Sequence, residues 1–440
     1  MYKFSKIPVK CEKILTNHRK IQTPIPAPST IKVLNSCSKN EPNSMNDQLP
    51  IVWDKASNFY IYDNAGNQWI DFTSSIFVAN VGHSNPMVIK AIENQIHKSL
   101  INSYYYPTQE RTILSEMLLD ITPKTMDKVL FLSTGSESVE CAIKMAINYT
   151  GRKKILSFDK AFHGKTMGAS MACGKGNEWV PTKNYVDHLP YPNIWDIENG
   201  DDIEFLKNSI KNINLEDYAA CIIEPYQGWS ASFPPNGYMK YLKKLCEDNG
   251  LLLIIDEIQS GFGRTGKMFA FEHFDIVPDI ITCGKAISSS LPLSCVITNS
   301  KISNTCMSYN STHGSNPVAV AASSASLKFL IESNLVYESE RKGKILGKIL
   351  EEWKKENPIN IGRISQRGLL ASVFIHNPKG NDNDFVDRLI EVAMRKGLMS
   401  IRTASGTLKI GPPLTITDEA LIEGIEVLKE SLVECLDTLG

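Results

Sequence analysis

Leu251-Leu252-Leu253-Ile254-Ile255-Asp256-Glu257-Ile258-Gln259-Ser260-Gly261-Phe262-Gly263-Arg264-Thr265-Gly266 joins a five-residue aliphatic run to two carboxylates and a glycine-rich turn. A continuous apolar run bounded by turn residues marks a strand buried on both faces, as in parallel sheets. Comparable runs stand at Val129–Leu132, Lys154–Phe158, Ala219–Ile223 and Ile280–Cys283, with helical periodicity between them, as in Ser138–Tyr149. This alternation predicts βαβ units and an α/β fold with a mostly parallel buried sheet.

Outward from that core the pattern changes. Residues 1–48 are rich in Lys, Asn and Pro with weak periodicity, and read as an arm with at most one helix. From Ile51 to Phe72, two alternating segments broken by Asp63-Asn64-Ala65-Gly66 read as a β-hairpin or short meander. From about residue 334, amphipathic helices at Val336–Trp353, Asn383–Lys396 and Asp418–Leu439 surround strands at Leu369–Ile375 and Thr407–Ile410, which predicts a second, α+β domain. The expected division is an arm (1–48), an N-terminal part of a small domain (49–85), a large domain (86–333) and the C-terminal small domain (334–440).

With 47 basic and 48 acidic residues, the chain has no global field that favours nucleic acid or a membrane surface. Its ten cysteines are scattered singly, without the spacing of a disulfide scaffold or a zinc site, so no metal is expected and a reducing cytoplasm is. No run approaches the roughly 18 apolar residues of a membrane span. The basic N-terminus admits a transit peptide, which ranks below an ordinary arm because residues 1–40 hold one arginine.

In an open parallel sheet, ligands bind beyond the carboxyl ends of the strands, so polar residues just after the apolar runs are the candidates. After Leu132 comes Ser133-Thr134-Gly135-Ser136, opening a helix whose first amides suit a phosphate; the plainer reading is a helix cap. After Ile223 comes Glu224, and after Ile255 comes Asp256, each costly to desolvate without a cationic partner. Asp256 fits a structural ion pair with Arg264 about as well as a partner for a protonated pyridine nitrogen. After Cys283 comes Gly284-Lys285, a lysine that is a nucleophile if desolvated and a surface group if it reaches water. A phosphate cradle, a carboxylate and a lysine facing one crevice are the three anchors that pyridoxal phosphate (PLP) requires.

Those strings resemble the class III aminotransferases, the ornithine and 4-aminobutyrate type of fold-type-I PLP enzymes. The resemblance runs in order from about Ile51 to Leu428, with Asp256–Gly266 and Gly284-Lys285 its most specific parts. It implies a large, mostly parallel seven-stranded sheet domain sandwiched by helices, with a smaller α+β domain formed by the N- and C-terminal parts. It implies an aminotransferase working by a ping-pong cycle between an amino donor and a keto or aldehyde acceptor, with Lys285 as Schiff-base attachment point and proton shuttle. Gly135 and Ser136 would hold the phosphate, and Phe162, beside His163, would stack on the ring. Asp256 would pair with the ring nitrogen, Gln259 would bond near the phenolic oxygen, and Glu224 would orient that group of residues. Thr312 would reach the phosphate of a second subunit, which implies a homodimer with shared sites.

The sequence departs from the family pattern where substrate carboxylates are gripped. Lys409, in Leu408-Lys409-Ile410-Gly411-Pro412-Pro413-Leu414, stands where an arginine is usual, and Trp229 stands where the 4-aminobutyrate type has a glutamate. A point charge thus replaces a bidentate fork. Ile76, Phe77 and Tyr106 correspond to segments lining the family's active-site entrance, and Arg402 is a second candidate for a donor carboxylate. Together they predict a substrate without the dicarboxylate pattern: an amino sugar, an amino aldehyde or an ω-amino acid. Aminomutases, racemases and decarboxylases on the same scaffold are the alternative. A PLP-binding regulator is disfavoured because the arm is too short for a helix-turn-helix domain.

Overall fold

A computed structural model describes residues 3–45, 48–174, 180, 185–193, 197, 201–306, 309–377, 379–403 and 406–438. Its contacts divide the chain into two compact units, Met1–Asn85 with Glu338–Gly440, and Pro86–Tyr337. Among the described residues no helix is long and apolar enough to cross a membrane.

The first unit begins with more structure than an extended arm. A hairpin of β1 (Ile14–Leu15) and β2 (Lys20–Ile21) precedes helix α1 (Ile31–Asn40). The alternating segments then form a meander of β3 (Lys55–Ser57), β4 (Tyr60–Tyr62) and β5 (Gln68–Asp71). Its turn is closed by Asp63, whose Oδ1 accepts from the amides of Ala65 and Asn67, both at 2.9 Å. Lys20 pairs with Gln68, so the arm completes this sheet. Arg19 fastens it, donating to Glu423 Oε1 at 2.6 Å and to the Lys396 carbonyl at 2.8 Å.

After β5 the backbone becomes left-handed for four residues without glycine: Ser74, Ser75, Ile76 and Phe77 have φ of 49°, 52°, 60° and 66°. Each such L-residue costs roughly 1–2 kcal/mol, so tertiary bonds must hold the turn. Asp71 Oδ1 accepts from both Thr73 N and Thr73 Oγ1 at 2.7 Å, and Ser74 Oγ donates to the Gly411 carbonyl at 2.7 Å.

In the second unit, α2 (Pro86–His97) and α3 (Gln109–Asp120) lead into the large sheet. Its strands are β6 (Lys128–Leu132), β7 (Lys154–Phe158), β8 (Val186–Leu189), β9 (Tyr218–Ile223), β10 (Leu252–Asp256), β11 (Ile280–Cys283) and β12 (Ser294–Thr298). They lie in the order β6-β12-β11-β10-β9-β7-β8, with β12 alone antiparallel to its neighbours. Helix α4 (Gly135–Thr150) buries Val139, Ala142, Met145 and Ala146 in the cluster that holds Ala220, Ile222, Ile254, Ile280 and Val296. Full burial stabilises by roughly 1.5–3 kcal/mol per large aliphatic side chain, and the small alanines let helix and sheet approach closely. Helix α5 (Pro317–Glu332) packs on α2 and α3 and closes the unit.

The chain then returns to the first unit through α6 (Leu335–Glu356), which starts just before the boundary between the units. The remaining elements are β13 (Ile361–Arg367), β14 (Leu370–Ile375), α7 (Asp382–Arg395), β15 (Leu398–Met399), β16 (Ile401–Thr403), β17 (Thr407–Ile410) and α8 (Asp418–Asp437). Strand β15 joins β5, while β13-β14-β17-β16 form an antiparallel sheet. The expected last helix ended at Leu439, which lies outside the described residues.

Candidate active site

The sheet order sets the candidates of the second unit side by side. Parallel strands end at one edge, and there the chain delivers Gly135 and Ser136 after β6, Lys285 after β11, Asp256 at the end of β10, Glu224 after β9, and Phe162 with His163 after β7.

At the β6 end, Thr134 caps α4 in a capping box: Glu137 Oε2 accepts from Ser133 N at 2.8 Å and Thr134 N at 2.9 Å. The plainer reading of this string is therefore present, and it leaves the first-turn amides of Gly135 and Ser136 outside the box. The turn tolerates no side chain at Gly135, where a Cβ would lie 2.9 Å from Ile258 Cδ1. Ile258 also lies 3.3 Å from a Cβ placed on Gly284, so one isoleucine fills the gap between the α4 turn and the lysine turn. It carried no signal in the sequence.

Asp256 is buried, and its partners are His163 and its own loop rather than Arg264. His163 Nδ1 sits 2.7 Å from Oδ2, and Ile258 N donates to Oδ1 at 3.1 Å. Burial alone would discharge His163, but the hydrogen bond and charge of Asp256 outweigh it and raise the histidine's pKa. Glu224 spans two segments, with Oε2 accepting from Phe162 N and Oε1 from Gly228 N, both at 3.0 Å. Burial pushes its carboxyl up to about 6, against the pull of His163. The backbone of Phe162 is fixed this way while its ring remains 44% exposed.

Lys285 is half-buried and holds a left-handed φ of 46°, a strained conformation of the kind that clusters at functional sites. Desolvation lowers its pKa below the ordinary lysine value, against the carboxylates of Asp256 and Glu224. Gln259 turns toward Gly228, where a Cβ would meet Gln259 Oε1 at 2.6 Å. Gln259 Oε1 and His163 Nε2 are both buried and make no hydrogen bond.

The loop bearing Phe162 and His163 is tied to α4. Ser136 Oγ accepts from Lys165 N at 3.2 Å, and one turn further along Glu140 Oε1 accepts from Thr166 Oγ1 at 2.6 Å and Gly168 N at 2.7 Å. Glu140 was not among the sequence candidates; its spacing from Ser136, one helical turn, was the available signal. Cys173, whose Sγ accepts from His163 N at 3.2 Å, was also missed, and nothing in its sequence context marked it. Thr312 and Tyr106 are exposed, and Trp229 is 37% exposed.

In the first unit, strand register separates the two candidate cations. Lys409 lies opposite Ile401, and Arg402 opposite Leu408, so the two side chains leave opposite faces of the sheet. Arg402 Nε donates to Asp387 Oδ1 on α7 at 2.7 Å. Lys409, 4% exposed, places Nζ 5.4 Å from the centroid of the Phe77 ring. Phe77 is buried and Ile76 is 44% exposed.

The class-III aminotransferase family model matches residues 42–432. The chain is 33% identical over 391 residues to an acetylornithine aminotransferase of Methanopyrus kandleri, covering 88% of this chain and 95% of that one. It is also 33% identical over 404 residues to a leucine/methionine racemase of Thermococcus litoralis, covering 88% and 91%. Among solved structures, a taurine:2-oxoglutarate aminotransferase of Bifidobacterium kashiwanohense, in complex with PLP and glutamate, superposes with a TM-score of 0.84. That match has 28% identity and covers 91% of this chain and 97% of the other. Fold, strand-end chemistry and near-complete coverage agree, and the chain belongs to the class-III aminotransferase family.

Proposed function

We propose that this aminotransferase binds PLP at the carboxyl edge of the β6–β12 sheet, attached covalently through Lys285. The observation that carries this reading is the convergence there of a desolvated lysine, a buried Asp256–His163 pair and the first turn of α4. The two orphaned polar atoms, Gln259 Oε1 and His163 Nε2, fit a polar group bound beside them. PLP supplies an electron sink that lets a bond to the substrate's amino-bearing carbon break.

The chain's own residues do the rest. Gly135 and Ser136 offer amides and a hydroxyl to the phosphate at the positive end of a 16-residue helix. Phe162 stacks on the ring, and Asp256, held by His163, offers a carboxylate to the ring nitrogen. Glu224 fixes Phe162, and Gln259 contacts the ring's phenolic oxygen. Lys285 Nζ, discharged more readily than an ordinary lysine, takes and returns the substrate proton. Thr312, exposed on its own protomer, reaches the phosphate of a second copy in a homodimer.

Lys409, with Phe77 beneath it, receives a substrate carboxylate, while Arg402 serves Asp387. A single cation in place of the usual fork suits a substrate carrying at most one carboxylate near its amine, such as an ω-amino acid, an amino aldehyde or an amino sugar. Racemisation is the second reading, favoured by the racemase relative. A half-reaction separates the two. Transamination predicts that a donor amine alone releases one equivalent of carbonyl product per site; a racemase inverts the amine and releases none.

A further inference from the structure

We propose that Asp71 and His83 are positioning residues for Lys409: they hold the left-handed turn Ser74–Phe77 in the one conformation that keeps the Phe77 ring beneath the ammonium. The proposal rests on the reading of Lys409 as the cation that receives a substrate carboxylate.

A short chain of bonds leads from the pair to the ring. His83 Nε2 lies 2.7 Å from Asp71 Oδ2, while Asp71 Oδ1 takes the amide and hydroxyl of Thr73. Thr73 then holds the turn, accepting from Ser75 N on Oγ1 at 3.2 Å and from Phe77 N on its carbonyl at 2.9 Å. His83 is itself fixed, bridged to Asn58 through both backbone groups and abutted edge-on by Trp53 at 5.8 Å between ring centroids. Both members of the pair are buried.

The far end of the turn has no slack. The edge of the Phe77 ring abuts the backbone of Gly411, where a Cβ would come within 2.0 Å of Phe77 Cε1. Gly411 follows Lys409 by two residues, so β17 carries the cation and the residue just after the strand supplies the bare backbone against the ring. Ser74 Oγ bonds the Gly411 carbonyl and closes the assembly from the turn side.

Four left-handed residues without a glycine are an unfavourable way to connect two segments, since glycine at Ser75 would relieve the strain without changing the path. Strain persists where the surroundings over-determine it, and here the determinants meet beside a buried ammonium over an aromatic face. The pair therefore sets where the charge of Lys409 sits, without touching substrate or cofactor.

The test follows Lys409 directly. Purified holoenzyme is treated with acetic anhydride, and acetylation of Lys409 is followed by peptide mass spectrometry against exposed Lys348 as the reference. In Asp71→Ala, Lys409 should be labelled roughly tenfold faster than in the parent, the scale of losing a desolvated cation–π contact. Adding Ser75→Gly to Asp71→Ala should return the rate toward the parent value, because glycine holds the turn without the brace. Phe77→Leu and Gly411→Ala, which remove or displace the ring with the brace intact, should accelerate labelling as well, and His83→Gln, which weakens the pair at its other end, decides the matter if Asp71→Ala does not fold. Parental rates in Asp71→Ala or Phe77→Leu, or no rescue by Ser75→Gly, would overturn the proposal. The reading of Lys409 as carboxylate receptor is tested separately by the kinetics of Lys409→Met, so its failure is distinguishable.

Discussion

At Lys285 two effects oppose: burial expels charge from the amine, and the carboxylates of Asp256 and Glu224 restore part of it. Burial prevails, which is what a nucleophilic amine needs. At Lys409 the side-chain nitrogen lies over an aromatic face. Lys409→Met is expected to raise KM for amino donors bearing a carboxylate by roughly ten- to a hundredfold, the scale of a lost charge-assisted bond. Donors of the same length without a carboxylate should be unaffected; equal losses for both would exclude the role.

Glu257 has no part in the proposed chemistry, yet it has the clearest pH signature. Burial raises its pKa from 4.5 to about 7, against hydrogen bonds from Ser260 and the amides of Ala270 and Phe271. Across that interval the folded protein keeps a proton that the unfolded chain has released. The stability this group contributes is complete below pH 4.5 and is lost as pH rises through about 7. Glu257→Gln should flatten the decline of Tm over that window, a difference of roughly 1–3 kcal/mol in unfolding free energy. An unchanged pH profile would show that Glu257 ionises freely.

Much of the residue scale was legible because desolvation is costly. A carboxylate closing five aliphatics and a lysine following a buried strand each called for an explanation from sequence alone. What sequence left open was pairing: Asp256 meets a histidine 93 positions away rather than nearby Arg264. That Arg402 and Lys409 leave opposite faces of their sheet depended on strand register, which sequence spacing does not fix.

At the scale of elements, uninterrupted apolar runs became strands almost as read, with Lys154–Phe158, Ile280–Cys283 and Thr407–Ile410 matching to the residue. Strands with weaker local signals were missed. Val186–Leu189 is a short strand at the sheet edge with Asp187 and His188 at its centre, and Ser294–Thr298 is the antiparallel insertion next to the lysine turn. The β1–β2 hairpin was also missed, because its pairing partner is Gln68. The left-handed turn was unreadable for a different reason: Ser-Ser-Ile-Phe has no left-handed preference, and the conformation comes from Asp71, His83 and Gly411.

Glycines mark where elements touch. Gly164, at φ 145°, leaves no room for a Cβ, which would lie 2.4 Å from Ser136 Oγ. Gly164→Ala should therefore push the Phe162 loop off α4 and weaken PLP affinity by roughly tenfold or more, the scale of 1–3 kcal/mol of overpacking strain. Titration of apoenzyme with PLP by absorbance measures this; parental affinity would place the phosphate elsewhere.

For the whole molecule, the proposed site is shared between two copies, with Thr312 of one completing the phosphate cradle of the other. Subunit complementation tests that arrangement. Thr312→Ala and Lys285→Ala proteins, each impaired alone, should regain activity when refolded together, since one site per heterodimer then carries both native residues. No recovery would mean that Thr312 serves its own protomer or neither.

The central claim is that Lys285 carries PLP. Borohydride reduction of the purified protein, followed by proteolysis and mass spectrometry, reads it most directly. A phosphopyridoxyl group is expected on the peptide containing Gly284-Lys285, lost together with the visible absorbance in Lys285→Ala; a label on another lysine, or unchanged absorbance in that variant, would exclude Lys285 as the attachment point.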